Sequence, residues 1–406
     1  MTRAMNRSSL ARVGVATVLS AACGYVVLYL AARDLAPAGF SLFSVFWGAF
    51  GLFTGAAFGL LQEATREVRT ARAQSAPAAG PHTLPLRSAA LVAVTAAILI
   101  VITSALWASR VFAEYEQLSV GLLAVGLAGF SMHATLLGVL AGADGWTQYG
   151  TLMVLDVALR VAVAAAAFVF GWGLRGYLWA TVAGSLAWLM LLGCSAVSRH
   201  AAAIRTPGTV GTFLRGASHS IAAASASAIL VMGFPVLLKA TTPSLGATGG
   251  VVILAVTMTR APLLVPLTAM QGNLIAHFVD HPRLRALLTP ALALAGLGAI
   301  AVVAAGLLGP WLLRTLFGPA YNASGPLLAW LTAGAVAIAA LTLTGAATVA
   351  ARRHRAYSAG WIGATLAAAL LLLLPLELPT RTVIALLCGP LVGIAIHLTA
   401  LTRIRV

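Results

Sequence analysis

The sequence predicts an all-α integral membrane protein of about twelve transmembrane helices in two pseudo-symmetric six-helix lobes. Three observations predict it. Of 406 residues, 61% are hydrophobic and 8% charged, with a mean hydropathy of +0.98, whereas a soluble domain carries about 25% charged residues. Apolar runs of about 20 residues, enough to cross a bilayer core, recur along the whole chain. A few polar and glycine positions also repeat at about half the chain length.

The runs lie near residues 13–32, 40–61, 88–109, 118–142, 150–170, 176–197, 218–240, 248–271, 289–309, 325–350, 357–376 and 382–401. The first follows "MTRAMNRSSLAR" and has the basic start of a signal peptide. It reads instead as a retained helix, because no soluble domain follows to be exported. The loops assign orientation. With the N-terminus inside, seventeen arginines fall on the cytoplasmic side, against six basic residues outside (Arg33, Arg110, Arg175, Lys239, Arg314 and Arg381). The positive-inside rule then predicts both termini in the cytoplasm. The Arg-rich, Lys-poor composition points to a GC-rich bacterial genome, hence a multi-pass protein of the bacterial cytoplasmic (inner) membrane.

The net charge of +16 is thus mainly a topology signal, with some attraction to anionic membrane lipids. It is scattered over short loops, so no nucleic-acid partner is expected. The one lysine, Lys239, precedes an alanine, so no GxxxxGK[ST] loop exists and no nucleotide site is expected. Cys23, Cys194 and Cys388 all fall in spans at spacings that suit no metal or disulfide framework. The outer loops are short, with only Asp34, Glu114, Glu116 and Glu377 as acids. Neither enzyme, cofactor nor metal is expected, and transport fits better. The longest loop, about 62–87, reads as a basic, disordered linker.

Gly138 and Tyr149 recur as Gly345 and Tyr357, and Gln62 as Gln271, at offsets of 207, 208 and 209. The offset relates span n to span n+6, a parallel repeat of the kind found in many transporters. The predicted organisation is an N-terminal lobe over 1–197, a cytoplasmic linker over 198–217 ("SRHAAAIRTPGTVGTFLRGA") and a C-terminal lobe over 218–406.

With this layout, the chain resembles the MOP superfamily of multidrug, oligosaccharidyl-lipid and polysaccharide exporters, and within it the polysaccharide flippase branch. The stretch "YVVLYLAARDLAPAGFSLFSVFWGAFGLFTGAAFGLLQE" is similar to that branch's opening hairpin. The stretches "TMTRAPLLVPLTAMQGNLI" and "LFGPAYNASGPLLAWL" are similar to its helix 8 and its 9–10 turn. The resemblance implies a flippase for polyprenyl-pyrophosphate-linked saccharides, with other glycan-assembly membrane proteins as further partners. Rival readings are a lipid II-type flippase, which usually has two more C-terminal helices, and a multidrug or cation antiporter, which commonly uses an acid in helix 1. A non-transporting scaffold of a glycan-assembly complex is the rival from another class.

Such a cargo needs cations in a hydrated cavity. Arg260 lies twelve residues into span 8, about 18 Å along a helix at 1.5 Å per residue. That is near the midplane, where an arginine costs roughly 2.5–3.5 kcal/mol. It reads as a cavity-lining phosphate ligand or as the partner of an acid on another helix. In "VLDVALRVAV", Asp156 and Arg160 share one helical face four residues apart. The pair is either structural, or Arg160 joins the cationic cavity while Asp156 holds it or couples transport to an ion.

Tyr25, Tyr29 and Arg33 form one stripe near the outer mouth, suited to sugar stacking or equally to an interfacial aromatic belt. Gln62, Glu63, Arg66 and Gln271 are gating candidates at helix ends. Gly48, Gly51, Gly55 and Gly59 predict close helix packing. Pro235, Pro262 and Pro266 predict kinks, and His133 and His397 read as packing residues.

Overall fold

The computed structural model describes residues 7–73, 81–281 and 284–402. It is almost entirely helical. The helices of the first half are α1 (Arg7–Asp34), α2 (Ala36–Ala73), α3 (Pro85–Val111), α4 (Glu116–Gly142), α5 (Trp146–Phe170), α6 (Gly173–Ala183), α7 (Ala187–Cys194) and α8 (Ala196–Ala202). They are followed by α9 (Val210–Val231), α10 (Phe234–Ala240), α11 (Gly246–Ala269), α12 (Gln271–Asp280), α13 (Leu288–Phe317), α14 (Gly325–Ala350), α15 (His354–Leu371) and α16 (Leu378–Thr402). Two short strands, β1 (His82–Thr83) and β2 (Thr206–Pro207), pair antiparallel.

Among the described residues, ten helical segments are long and apolar enough to cross a membrane, and the broken pair α9–α10 makes an eleventh. The remaining predicted run, 357–376, corresponds to α15, whose first turn carries His354 and Arg355 and so dilutes its apolar length. Helices close their backbone hydrogen bonds internally and so can span hydrocarbon, and this chain is built from them. It is a multi-pass membrane protein.

Contacts divide the chain into two compact units. The first holds Met1–Leu35 and Val45–Val236, the second Ala36–Ser44 and Leu237–Val406. In the first, α4 is the central helix, lined along most of its length by buried residues, while α3 presents most of its surface outward. Gly138 lets α4 approach the Leu61 carbonyl of α2, and Thr65 donates to the Gly138 carbonyl at 3.1 Å. In the second unit α14 is the buried centre, against α11, α13 and α16. There Arg381 donates to the Thr241 and Leu372 carbonyls at 3.3 and 3.1 Å and to the Thr242 hydroxyl at 2.8 Å, tying two turns together.

Several expectations change. Of the predicted 62–87 linker, residues 62–73 continue α2 and 82–87 belong to β1 and the start of α3, while 74–80 lie outside the described residues. The 198–217 stretch, read as a linker, carries structure of its own. α8 ends within it, β2 pairs with β1, Gly208 N–H donates to the Pro81 carbonyl at 2.8 Å, and α9 begins at Val210. Span 7 does break, at Met232–Gly233, where Pro235 lacks the N–H that would continue the ladder.

The glycine stripe of α2 has a clear use. Gly48, Gly51, Gly55 and Gly59 face Pro235, Met232, Ala228 and Ile221 in antiparallel order, so α9 and the start of α10 lie in the groove the stripe opens. A Cβ at Gly55 would stand 2.6 Å from the Ala228 Cβ, and one at Gly59 would collide with the Ile221 backbone N. Gly59→Val is therefore expected to lower thermal stability by several degrees in detergent, through a backbone clash that no side-chain rotamer relieves. Gly14→Ala, whose added Cβ meets nothing within 4 Å, should melt like the wild type.

Candidate functional site

In the first unit, Asp156 and Arg160 share one face of α5. The Arg160 Nε and Nη2 atoms both lie 3.0 Å from the Asp156 Oδ1, and Nη1 donates to the Thr181 carbonyl of α6. The guanidinium also lies 5.3 Å from the centroid of the Phe50 ring on α2. Arg160 is 9% exposed. A buried charge is tolerable only when paired and hydrogen-bonded, and here a carboxylate, a carbonyl and an aromatic face supply the partners.

What admits the pair is Gly184. It opens a 3₁₀ turn, Gly184–Leu186, that interrupts span 6 between α6 and α7. A Cβ there would overlap the Asp156 carboxylate and stand 2.6 Å from the Arg160 Nε. Thr181, one turn earlier, donates its own hydroxyl to the Tyr177 carbonyl at 2.8 Å, and the Tyr177 hydroxyl donates to the Leu30 carbonyl of α1 at 3.2 Å. Polar contacts thus run from α5 through α6 to α1.

His133 belongs to the same cluster. Its ring stacks on Phe130 at 5.2 Å, and it lies within electrostatic reach of both Asp156 and Arg160. It is 2% exposed, and its Nδ1 has no hydrogen-bond partner among the described residues. Read from sequence as packing, it sits instead beside the buried charges. Its place near the middle of an otherwise apolar span was the available signal. His397 does fit packing: Thr344 lies 3.0 Å from its Nδ1 and the Tyr357 carbonyl 3.2 Å from its Nε2, with Gly360 close against the ring at Nε2.

The remaining candidates lie elsewhere. Arg260 is 7% exposed within α11 of the second unit, two residues before Pro262. Tyr25, Tyr29 and Arg33 form a stripe of α1 that runs from half-buried to exposed. At the end of α2, Arg66 donates to both oxygens of Glu63 at 3.1 and 2.6 Å and to Glu67 at 2.6 Å. Glu63 is 3% exposed and lies against Gly216 of α9. The Glu63–Arg66 bridge is therefore made within one helix. Gln62 is exposed, and the Gln271 side chain lies outside the described residues. Gly138 and Gly345 meet different surroundings, the Leu61 carbonyl in one case and the Tyr357 and His397 rings in the other.

These features define a multi-pass, almost wholly helical membrane protein. The chain is similar to the inward-facing conformation of a multidrug resistance MATE family transporter of the MOP superfamily, with a TM-score of 0.73 and 15% identity over 98% of this chain and 99% of that one. It is also similar to the outward-facing conformation of such a transporter, with a TM-score of 0.62 and 16% identity over 98% and 96% of the two chains. At such identities the likeness is one of fold, the twelve-helix, two-lobe fold of MATE transporters.

No protein-family model matches the chain. In sequence it is 65% identical to the uncharacterized protein Mb3654 of Mycobacterium bovis, over 98% of this chain and 93% of that protein. It is likewise 65% identical to the uncharacterized protein Rv1510 of Mycobacterium tuberculosis, over 98% and 92%. The chain belongs to the family of these mycobacterial proteins.

Two substitutions test the cluster. Asp156→Leu alone should strip a buried guanidinium of its carboxylate and cost roughly 3–5 kcal/mol, whereas Asp156→Leu with Arg160→Met should restore most of the stability. Thermal melting of the three proteins in one detergent checks this, and equal melting of the single and double variants would show that the pair is not a buried unit.

Proposed function

We propose that the chain is a flippase that carries a polyprenyl-pyrophosphate-linked saccharide across the bacterial cytoplasmic membrane, by alternating access of two lobes over 1–197 and 218–406, with both termini inside. The observation that carries the reading is the sign of the charge in the middle of the spans: among the described residues, two buried arginines, Arg160 and Arg260, against one carboxylate, Asp156. An intramembrane arginine is costly and usually functional. Its planar fork suits a phosphate better than any other side chain does.

The fold supports transport, because the same architecture occurs in solved transporters with inward- and outward-facing forms. A positive interior disfavours an organic cation as cargo, and a scaffold would have no use for the cost of the midspan charges. Tyr25, Tyr29 and Arg33 are assigned to the sugars, and Arg160 and Arg260 to the pyrophosphate.

With no nucleotide loop in the sequence, movement runs down the cargo gradient or on an ion gradient. Asp156 is the coupling candidate, and coupling through it requires its pair with Arg160 to open during the cycle. His133, within electrostatic reach of both, is then a group that can take up the released interactions.

Proteoliposomes with a labelled lipid-linked saccharide test both parts. Arg260→Ala should slow flipping roughly ten- to hundredfold, as expected for the loss of one or two charge-assisted hydrogen bonds, and Arg260→Lys should retain an intermediate rate. Equal rates in all three proteins would remove Arg260 from the site. Collapse of the proton and sodium gradients should slow the wild type but leave Asp156→Asn unaffected. A wild type indifferent to both gradients would leave Asp156 a purely structural role.

A further inference from the structure

The first unit carries a surface trough that the ion pair and the glycine stripe do not explain. Two adjoining cavities of about 700 and 320 Å³ share Val125 and Leu186 and together follow α4 between α3 on one side and α6 and its 3₁₀ turn on the other. Small residues open it, chiefly Ala93 and Ala97 on α3 and Gly121 and Ala128 on α4. The lining is almost wholly apolar, and its rims are exposed: Val94, Ile98 and Val125 each show more than half their surface. In a membrane such a face meets hydrocarbon.

Length and charge identify what the trough fits. From Gln117 to Met132 it runs about 22 Å along α4 at 1.5 Å per residue. An ordinary acyl chain reaches only the midplane, about half of a hydrocarbon core roughly 30 Å thick. The trough therefore suits a chain that continues past the midplane.

At the Gln117 end, Trp179 lines the trough, and Arg175 stands one turn before it on the same face of α6. The Arg175 guanidinium is held 4.8 Å over the Tyr115 ring. Tyr115 keeps that place with a φ of 51°, a conformation that residues other than glycine seldom adopt. Among the described residues Arg175 forms no ion pair, not even with the neighbouring Glu114 and Glu116. Stacking uses the face of the guanidinium and leaves its N–H edge for a phosphate.

We propose that this trough binds the isoprenoid chain of a polyprenyl phosphate ester, with Arg175 taking the phosphate at the Gln117 end, a station separate from the midspan Arg160 and Arg260. The inference rests on the reading of the cargo as a polyprenyl-linked saccharide, and it gives the long tail a track on the outer surface of the first unit.

Native mass spectrometry of the full-length protein released from micelles, with undecaprenyl phosphate and dioleoyl phosphatidylglycerol at equal concentration, tests it. Undecaprenyl phosphate should be retained in clear preference to the phospholipid. Gly121→Phe projects into open space, since a Cβ there meets nothing within 4 Å. It should melt like the wild type and weaken retention severalfold. Arg175→Gln, a change at the rim, should weaken it roughly tenfold, the scale of a lost charge-assisted hydrogen bond. Equal retention of the two lipids, or wild-type retention by both variants, would overturn the proposal. If the wild type flips labelled lipid-linked saccharide but retains no undecaprenyl phosphate, the trough proposal fails and the flippase reading stands. Retention that depends on Gly121 and Arg175, without any flipping, would uphold the trough and remove the flippase reading.

Discussion

A guanidinium held inside a helical membrane protein constrains everything around it. Arg160 is accommodated by an i,i+4 carboxylate on its own helix, a carbonyl from α6 and the face of Phe50 on α2. Those partners can gather only because span 6 gives up regular helix at Gly184–Leu186 and offers a residue without a side chain against the carboxylate. A short 3₁₀ stretch inside a helix often marks a hinge. Here the same three residues touch buried charge through Gly184 and line the apolar trough through Leu186. One local break thus lies between the polar interior of the first unit and its lipid-facing surface.

A second constraint operates at the arginine-rich end of α2. The glycine stripe brings α9 close along most of its length, and the contact ends where the buried Glu63 carboxylate meets Gly216. Hydrocarbon provides no hydrophobic drive between helices, so close van der Waals packing at small residues holds them together. Glu63 is satisfied by Arg66, whose own side chain stays largely exposed at 59%. Any movement of α9 would have to take place against this interface.

Most of the architecture was legible in the sequence because the bilayer imposes a length and a polarity that composition reports directly. The positions of the spans, the face shared by Asp156 and Arg160 and the close packing at Gly48–Gly59 all follow from periodicity. What periodicity cannot show is which helix fills a groove. Chain order alone did not reveal that α9 packs along the α2 glycines. Gly184 carried no local sign of its role: nothing in "VAGSLAW" distinguishes a glycine seated under a carboxylate from a packing glycine. His133 was visible as a midspan histidine, yet its proximity to the charges comes from the tertiary packing of α4 on α5. The strands at 82–83 and 206–207 are too short to leave any alternation to read.

The chemistry of the cargo is the decisive question, since one fold can serve transporters of different substrates. A net-positive set of midspan charges should select an anionic headgroup and reject a lipophilic cation. The most direct measurement presents both to the same proteoliposomes: a fluorescent polyprenyl-pyrophosphoryl saccharide, followed by loss of accessibility to a membrane-impermeant quencher, and a fluorescent organic cation, followed by efflux. Protein-dependent movement of the lipid-linked saccharide with no protein-dependent efflux of the cation is the result predicted here. Cation efflux with a stationary saccharide would contradict it.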